Sequence, residues 1–110
     1  MSLALAWVIV GGLLEPVWAI GLKRFIDERT VKNLVFAGVF IVLSPLCLSF
    51  GMGEMGMGAA YSIWTGIGAV ATLIAGCILY KERLDRLKML CAVLIITGVV
   101  GLELSTEVAI

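Results

Sequence analysis

Histidine is absent from this chain of 110 residues, and only 15% of its residues are charged. The first absence removes the commonest metal ligand and the usual proton shuttle near neutral pH. The formal net charge is zero, without the basic excess typical of nucleic-acid-binding proteins. Cysteine spacings match no metal motif, so Cys47, Cys77 and Cys91 are interpreted as small apolar side chains. We therefore expect no cofactor, no metal and no nucleic-acid partner.

Apolar side chains dominate what is present. They make up 62% of the residues, and the mean hydropathy is +1.15. A chain this short hides only about two thirds of its surface on folding, which is too little to shield such a composition from water. The composition therefore excludes a soluble domain and a disordered chain, and it indicates the lipid bilayer as solvent.

Long uncharged runs divide the chain into membrane segments. Residues 33–53 and 55–80 contain no charged side chain. About 20 predominantly apolar residues are needed for a helix to cross the hydrocarbon core. The sequence therefore predicts an all-α membrane protein with one domain, 1–110, of four transmembrane helices at about 3–22, 33–52, 57–80 and 87–104.

The basic residues lie on one predicted side of the membrane. All eight Lys and Arg residues fall in or beside the first and third connections, 23–32 and 81–86. The two termini and the second connection carry none. The positive-inside rule therefore predicts both basic connections in the cytoplasm and both termini outside.

Glu15 is the one ionisable residue deep in a predicted span. A charge at that depth costs several kcal/mol, so an intramembrane acid is a functional hypothesis by default. A carboxyl group in such surroundings can hold a proton and exchange it for a cation. The alternative is a buried structural acid, but no Lys, Arg or His lies deep in another predicted span to pair with it, since Lys88 lies at the very start of the fourth.

Residues around Glu15 fit a binding cavity. Gly11, Gly12 and Trp18 lie three or four positions away and therefore on the same helix face. The glycines permit close approach either of another helix or of a ligand. Pro16 removes a backbone donor and frees the carbonyl of Gly12, which is either a functional feature or a simple kink.

Two other predicted helices hold polar or aromatic candidates. Ser44, beside Pro45, either donates to Glu15 or bonds its own helix backbone. Tyr61 and Trp64 lie near the start of the third span, where an aromatic pair can face an organic cation. The alternative for these rings is an interfacial aromatic belt.

The fourth predicted helix carries small residues on one face and no buried acid. Cys91, Gly98 and Gly101 have the spacing of a helix–helix seam. This pattern predicts that the fourth helix forms a dimer interface.

Two short motifs of this chain resemble those of a known family. Residues 15–19 read EPVWA and residues 60–68 read AYSIWTGIG. With four short helices in 110 residues, the chain resembles the small multidrug resistance family. Trp18, three residues after the glutamate, resembles the guanidinium-exporter branch. Members commonly have a proline shortly before the third helix, where Gly56 stands here.

The resemblance implies an antiparallel dimer in the bacterial cytoplasmic membrane that works by alternating access. Glu15 matches the glutamate shared between proton and cation. The residues that match the site lining are Trp18, Ser44, Tyr61 and Trp64. Gly12, one turn before Glu15, is predicted to line the same site. Because the basic bias of this chain fixes one orientation, the partner is expected to be a related subunit of opposite topology, giving a heterodimer.

The sequence thus predicts a proton-coupled exporter of small organic cations, guanidinium or a substituted guanidinium, and not an enzyme. One alternative is export of quaternary ammonium compounds by the same kind of protein. The other is a non-transporting accessory membrane subunit.

Overall fold

The computed structural model describes the backbone of residues 2–108 and the side chains of residues 3–105. Four helices follow one another, α1 (Ser2–Asp27), α2 (Val31–Met55), α3 (Met57–Leu79) and α4 (Arg86–Val108), and this range contains no strand. Each helix is long and apolar enough to cross a membrane. The predicted all-α membrane fold with four transmembrane helices is confirmed. The basic residues predict that both chain ends lie on the outer side of the membrane. The ends themselves are not among the residues that the structure describes.

The first connection is shorter than the predicted 23–32, because α1 continues to Asp27 and α2 begins at Val31. The Asn33 side-chain amide donates to the carbonyl oxygens of Glu28 (2.8 Å) and Arg24 (3.3 Å) at the end of α1. Thr30 accepts from the backbone N–H of Asn33 and so caps the start of α2. These bonds satisfy helix-end groups and allow a turn of only three residues, 28–30.

Between the helices predicted at 33–52 and 57–80, the second connection is Gly56 alone, because α2 continues to Met55. Gly51 lies inside α2, where a Cβ would overlap Val8 and lie 2.8 Å from the carbonyl oxygen of Ala4 in α1. Glycine here permits close helix contact instead of ending the helix, as is common between membrane helices. Gly56 has φ 83° and ψ 152°, a backbone region that is essentially restricted to glycine.

The core joins the first three helices. Val8 of α1, Leu48 of α2, and Ala60 and Ile63 of α3 form one buried cluster. α1 packs against both α2 and α3. Pro16 and Pro45 lie within α1 and α2, and neither proline ends its helix. The arrangement places the middle of α1 between two neighbours, which is where Glu15 lies.

α4 packs against α3 and contacts the edge of the core cluster through Val99. A Cβ on Gly66 of α3 would lie 2.6 Å from Val99 and 3.2 Å from Ile95, so the missing side chain lets α4 approach. In the most apolar 18-residue stretch of each helix, 28% of the residues of α1 are buried, whereas none of those of α4 is buried. The principal extents of 50 × 33 × 17 Å describe a slab less than two helix diameters thick.

Candidate functional site

The Glu15 carboxylate lies in the middle of α1, against Gly68 of α3. A Cβ on Gly68 would overlap Glu15 Oε1 and lie 2.6 Å from Cδ and 2.9 Å from Cγ. The space of the missing Gly68 side chain is therefore the seat of the carboxylate. Among the described side chains, no ammonium or guanidinium group lies within 4.0 Å of it. Glu15 is thus an acid between two helices without an ion-pair partner in this part of the chain.

A hydrogen-bond chain runs across three helices beside this acid. The indole Nε1–H of Trp64 donates to Ser44 Oγ over 3.2 Å, and Ser44 Oγ donates to the carbonyl oxygen of Gly11 over 2.7 Å. Ser44 is fully buried, with a relative exposure of 0%. The chain joins α3, α2 and α1 through one hydroxyl group that both donates and accepts.

Both bonding alternatives predicted for Ser44 are therefore wrong. Its hydroxyl reaches neither Glu15 nor its own helix, and it bonds the backbone of α1 instead. The physical reason is the closeness of the two helices. A Cβ on Gly11 would lie 2.9 Å from the backbone oxygen of Ser44, so the hydroxyl meets the Gly11 carbonyl before it meets any other acceptor.

Gly12 faces a helix and not an open cavity. A Cβ there would lie 3.0 Å from Ile67 Cγ2 and 3.1 Å from the backbone oxygen of Trp64. Of the two kinds of close approach predicted for this residue, the structure shows that of another helix, α3. Gly12 therefore brings the aromatic segment of α3 next to α1, and direct contact with a ligand stays a prediction.

The two aromatic residues of α3 are in contact with each other. The ring centroids of Tyr61 and Trp64 are 5.5 Å apart and the planes are tilted by 49°. Tyr61 is 51% exposed, whereas Trp64 is half-buried and anchored through Ser44. Trp18 is half-buried one turn beyond Glu15, and its indole N–H donates to no other described residue. The site therefore has a fixed indole, a more exposed phenol ring and a second indole with a free donor.

Joint binding of a small organic cation by these groups stays a prediction, and its chemical basis is simple. The carboxylate of Glu15 supplies the negative charge and two acceptor oxygens, and aromatic faces attract cations. Within the described residues, no group of three or more His, Cys, Asp or Glu side chains could hold a metal ion.

Sequence reasoning did not identify Gly68 as the seat of the carboxylate or the Gly11 carbonyl as the acceptor of the Ser44 hydroxyl. Gly68 lies seven residues after Tyr61, so both are on one face of α3, and this spacing was the available signal. Which glycine of that face receives the carboxylate depends on how α1 and α3 are aligned along their axes. No pattern within either helix encodes that alignment.

The predicted dimer face of α4 is open. Cys91 is exposed, and a Cβ on Gly98 or Gly101 would meet no described atom within 4 Å. A surface of this kind leaves room for the backbone of another helix to approach. Its use as a dimer interface stays a prediction.

Known proteins are similar to this chain in amino-acid sequence. The family described as Small Multidrug Resistance protein matches residues 3–95. Over 105 residues, 94% of this chain and the whole of the other protein, the chain is 36% identical to the guanidinium exporter of Escherichia coli K12. It is 38% identical to the guanidinium exporters of Citrobacter freundii and Salmonella typhimurium over the same length. The chain belongs to the small multidrug resistance family of membrane transporters.

Proposed function

We propose that the chain is a subunit of a proton-coupled exporter of small organic cations, and that its substrate is guanidinium or a substituted guanidinium. Relatives named guanidinium exporters support this substrate class. The observation that carries the proposal is the Glu15 carboxylate, seated on Gly68 in the middle of α1 with no cationic side chain of the described residues within 4.0 Å.

Coupling follows from the charge of the site. An empty Glu15 carboxylate is a charge inside the membrane and costs several kcal/mol, whereas a proton or a monovalent cation neutralises it. Access to the site therefore switches from one membrane face to the other most readily when Glu15 carries a proton or a cation. Exchange of a proton for a cation at one carboxylate, with access alternating between the two membrane faces, gives antiport.

Guanidinium suits the geometry of a carboxylate. Its planar N–H groups donate two parallel hydrogen bonds to the two oxygens of Glu15. The rings of Trp18, Tyr61 and Trp64 supply cation–π contacts of roughly 0.5–2 kcal/mol. Ser44 contributes by holding Trp64, because its hydroxyl accepts the indole N–H. A quaternary ammonium ion lacks N–H donors, so contacts with the aromatic rings would dominate its binding.

We also propose that the working unit is an antiparallel heterodimer in a bacterial cytoplasmic membrane. The described slab is thin, and α4 leaves its face of Cys91, Gly98 and Gly101 uncovered. With eight basic residues on one side and none on the other, this chain is expected to insert with its termini outside. An antiparallel partner must then come from a related subunit with the opposite bias.

Two measurements test the assembly. A side-specific reporter on the C-terminus should be accessible only from outside, and the chain expressed alone should transport little. Two equally populated orientations, or full transport without a partner, would refute the heterodimer and favour a homodimer of dual topology.

Proton release tests the function itself. Guanidinium added to the purified chain in a weakly buffered membrane mimetic should release protons, and Glu15→Gln should abolish the release because an amide cannot exchange a proton. Glu54→Gln, which removes an exposed acid beyond the site, is the matched control and should leave the release unchanged.

The same assay separates the alternatives. Release by guanidinium but not by tetramethylammonium supports a guanidinium exporter, and the reverse preference supports a quaternary ammonium exporter. Absence of cation-driven release both from the unmodified chain and from its complex with the partner subunit would refute exchange at Glu15 and favour a non-transporting accessory subunit.

A further inference from the structure

A cavity lies between α1 and α3, closer to the basic connections than Glu15. Its volume is about 110 Å³, and its polar lining comes from Lys23, Thr72, Tyr80 and Glu82. Gly68, Thr72 and Gly76 follow one another at intervals of four residues along one face of α3. The cavity therefore continues the same face that seats Glu15, and Gly76 lies roughly 12 Å from Gly68 along the helix axis.

The carboxylate of Glu82 lies in this cavity against Gly76, as the carboxylate of Glu15 lies against Gly68. A Cβ on Gly76 would overlap Glu82 Oε1 and lie 2.9 Å from Cδ. The chain reaches this position because Lys81 has a φ of 54° and the backbone N–H of Glu82 donates to the carbonyl oxygen of Gly76 over 3.2 Å. Two carboxylates thus rest on two glycines of one helix face.

A tethered cation already occupies the aromatic side of the cavity. The ammonium nitrogen of Lys23 lies 5.0 Å from the centroid of the Tyr80 ring. The same nitrogen lies 3.9 Å from Asp27 Oδ2, one helical turn further along α1. Asp27 therefore balances the charge of Lys23, while among the described side chains no ammonium or guanidinium group lies within 4.0 Å of the Glu82 carboxylate. The lining itself carries one cationic side chain, Lys23, and one anionic side chain, Glu82, and Asp27 lies beside the cation.

We propose that this cavity between α1 and α3 is a loading site for a small organic cation with N–H donors, which binds there before it reaches Glu15. Roughly 10–15 Å³ suffices for one water molecule, so the 110 Å³ cavity accommodates a cation of four non-hydrogen atoms such as guanidinium. Glu82 accepts its hydrogen bonds, Tyr80 offers its ring, and Lys23 moves toward Asp27 to make room. The proposal rests on the proposed function, since it takes the same substrate class.

The test abolishes cation binding at Glu15 by substitution and observes the cavity between α1 and α3 directly. In Glu15→Gln chain reconstituted in bicelles, guanidinium is titrated while the amide NMR shifts of Thr72 and Gly76 are followed. These shifts should move and saturate. Adding Glu82→Gln should weaken the apparent affinity roughly fivefold, because an exposed ion pair is lost. Adding Glu28→Gln instead, an exposed acid on the same side but outside the cavity, should leave the affinity unchanged.

A third substitution tests the tethered cation. Lys23→Gln in the Glu15→Gln background removes the ammonium group from the Tyr80 ring, and the affinity should rise by a similar factor. The loading site is refuted if Gly76 shows no saturable shift in Glu15→Gln, if Glu82→Gln and Glu28→Gln have equal effects, or if Lys23→Gln weakens binding. Failure of the proposed function is seen separately, as absence of guanidinium-driven proton release from the chain with Glu15 intact.

Discussion

Gly68→Ala is expected to damage the Glu15 site without unfolding the protein. The added methyl group would occupy the place of the Glu15 carboxylate, 2.6 Å from its Cδ atom. Because the clashing atoms are the far end of a flexible side chain, the structure can respond by moving that side chain to another rotamer. Such a change costs about 0.5–1.5 kcal/mol, and overpacking at the site raises the total to about 1–3 kcal/mol.

This cost falls on the function, since the displaced group is the one that binds. A difference of about 1–3 kcal/mol corresponds to a roughly 5- to 150-fold loss of affinity for guanidinium. Cation-driven proton release, measured as a function of guanidinium concentration, gives the affinity. Gly58→Ala in the same helix is the matched control, because a Cβ there meets nothing within 4 Å.

A double substitution distinguishes displacement of the carboxylate from general damage. Glu15→Asp shortens the side chain by one methylene and leaves room for the methyl group of Gly68→Ala. The double variant should therefore lose less affinity than the sum of the two single variants. Unchanged guanidinium affinity in Gly68→Ala, or additive losses in the double variant, would refute the assignment of Gly68 as the seat of Glu15.

Two further predictions concern the aromatic site and the α2–α3 connection. Trp64→Ala should weaken guanidinium binding by up to about thirtyfold, whereas Trp7→Ala, which removes a ring 4.9 Å from Phe50, should leave binding unchanged; equal losses in a titration would remove Trp64 from the site. Gly56→Ala should lower the free energy of unfolding by about 1–3 kcal/mol, because alanine is strained at φ 83°. Denaturant unfolding in mixed micelles measures this, and a loss no greater than that of Gly58→Ala would contradict it.

The sequence by itself determined the class of the protein and its central residue. Uncharged runs such as 33–53 are long enough to cross a bilayer in any arrangement, so the four helices follow from composition and length. Glu15 could be identified for the same reason, since a charge in an apolar run is conspicuous whatever its neighbours are. The motif from Ala60 to Gly68 also lies within one helix, and for that reason the family could be recognised before any contact was known.

Helix ends were less predictable because glycine has two uses in membrane helices. Gly51 and Gly56 look alike in the sequence, yet Gly51 lies inside α2 against Val8 and Gly56 ends the helix. The difference depends on whether a neighbouring helix packs against the glycine. That neighbour belongs to a distant part of the chain, so local sequence carries no trace of it.

Only the tertiary structure decided which groups meet at the site. Ser44 bonds the Gly11 carbonyl and Trp64, and Glu15 rests on Gly68, because three helices align at one particular depth. The pairing of Glu82 with Gly76 likewise depends on the fold of the connection after α3. Periodicity within a helix specifies the face on which a residue lies, but the axial alignment of two helices arises from packing between them, and that packing is a property of the whole fold.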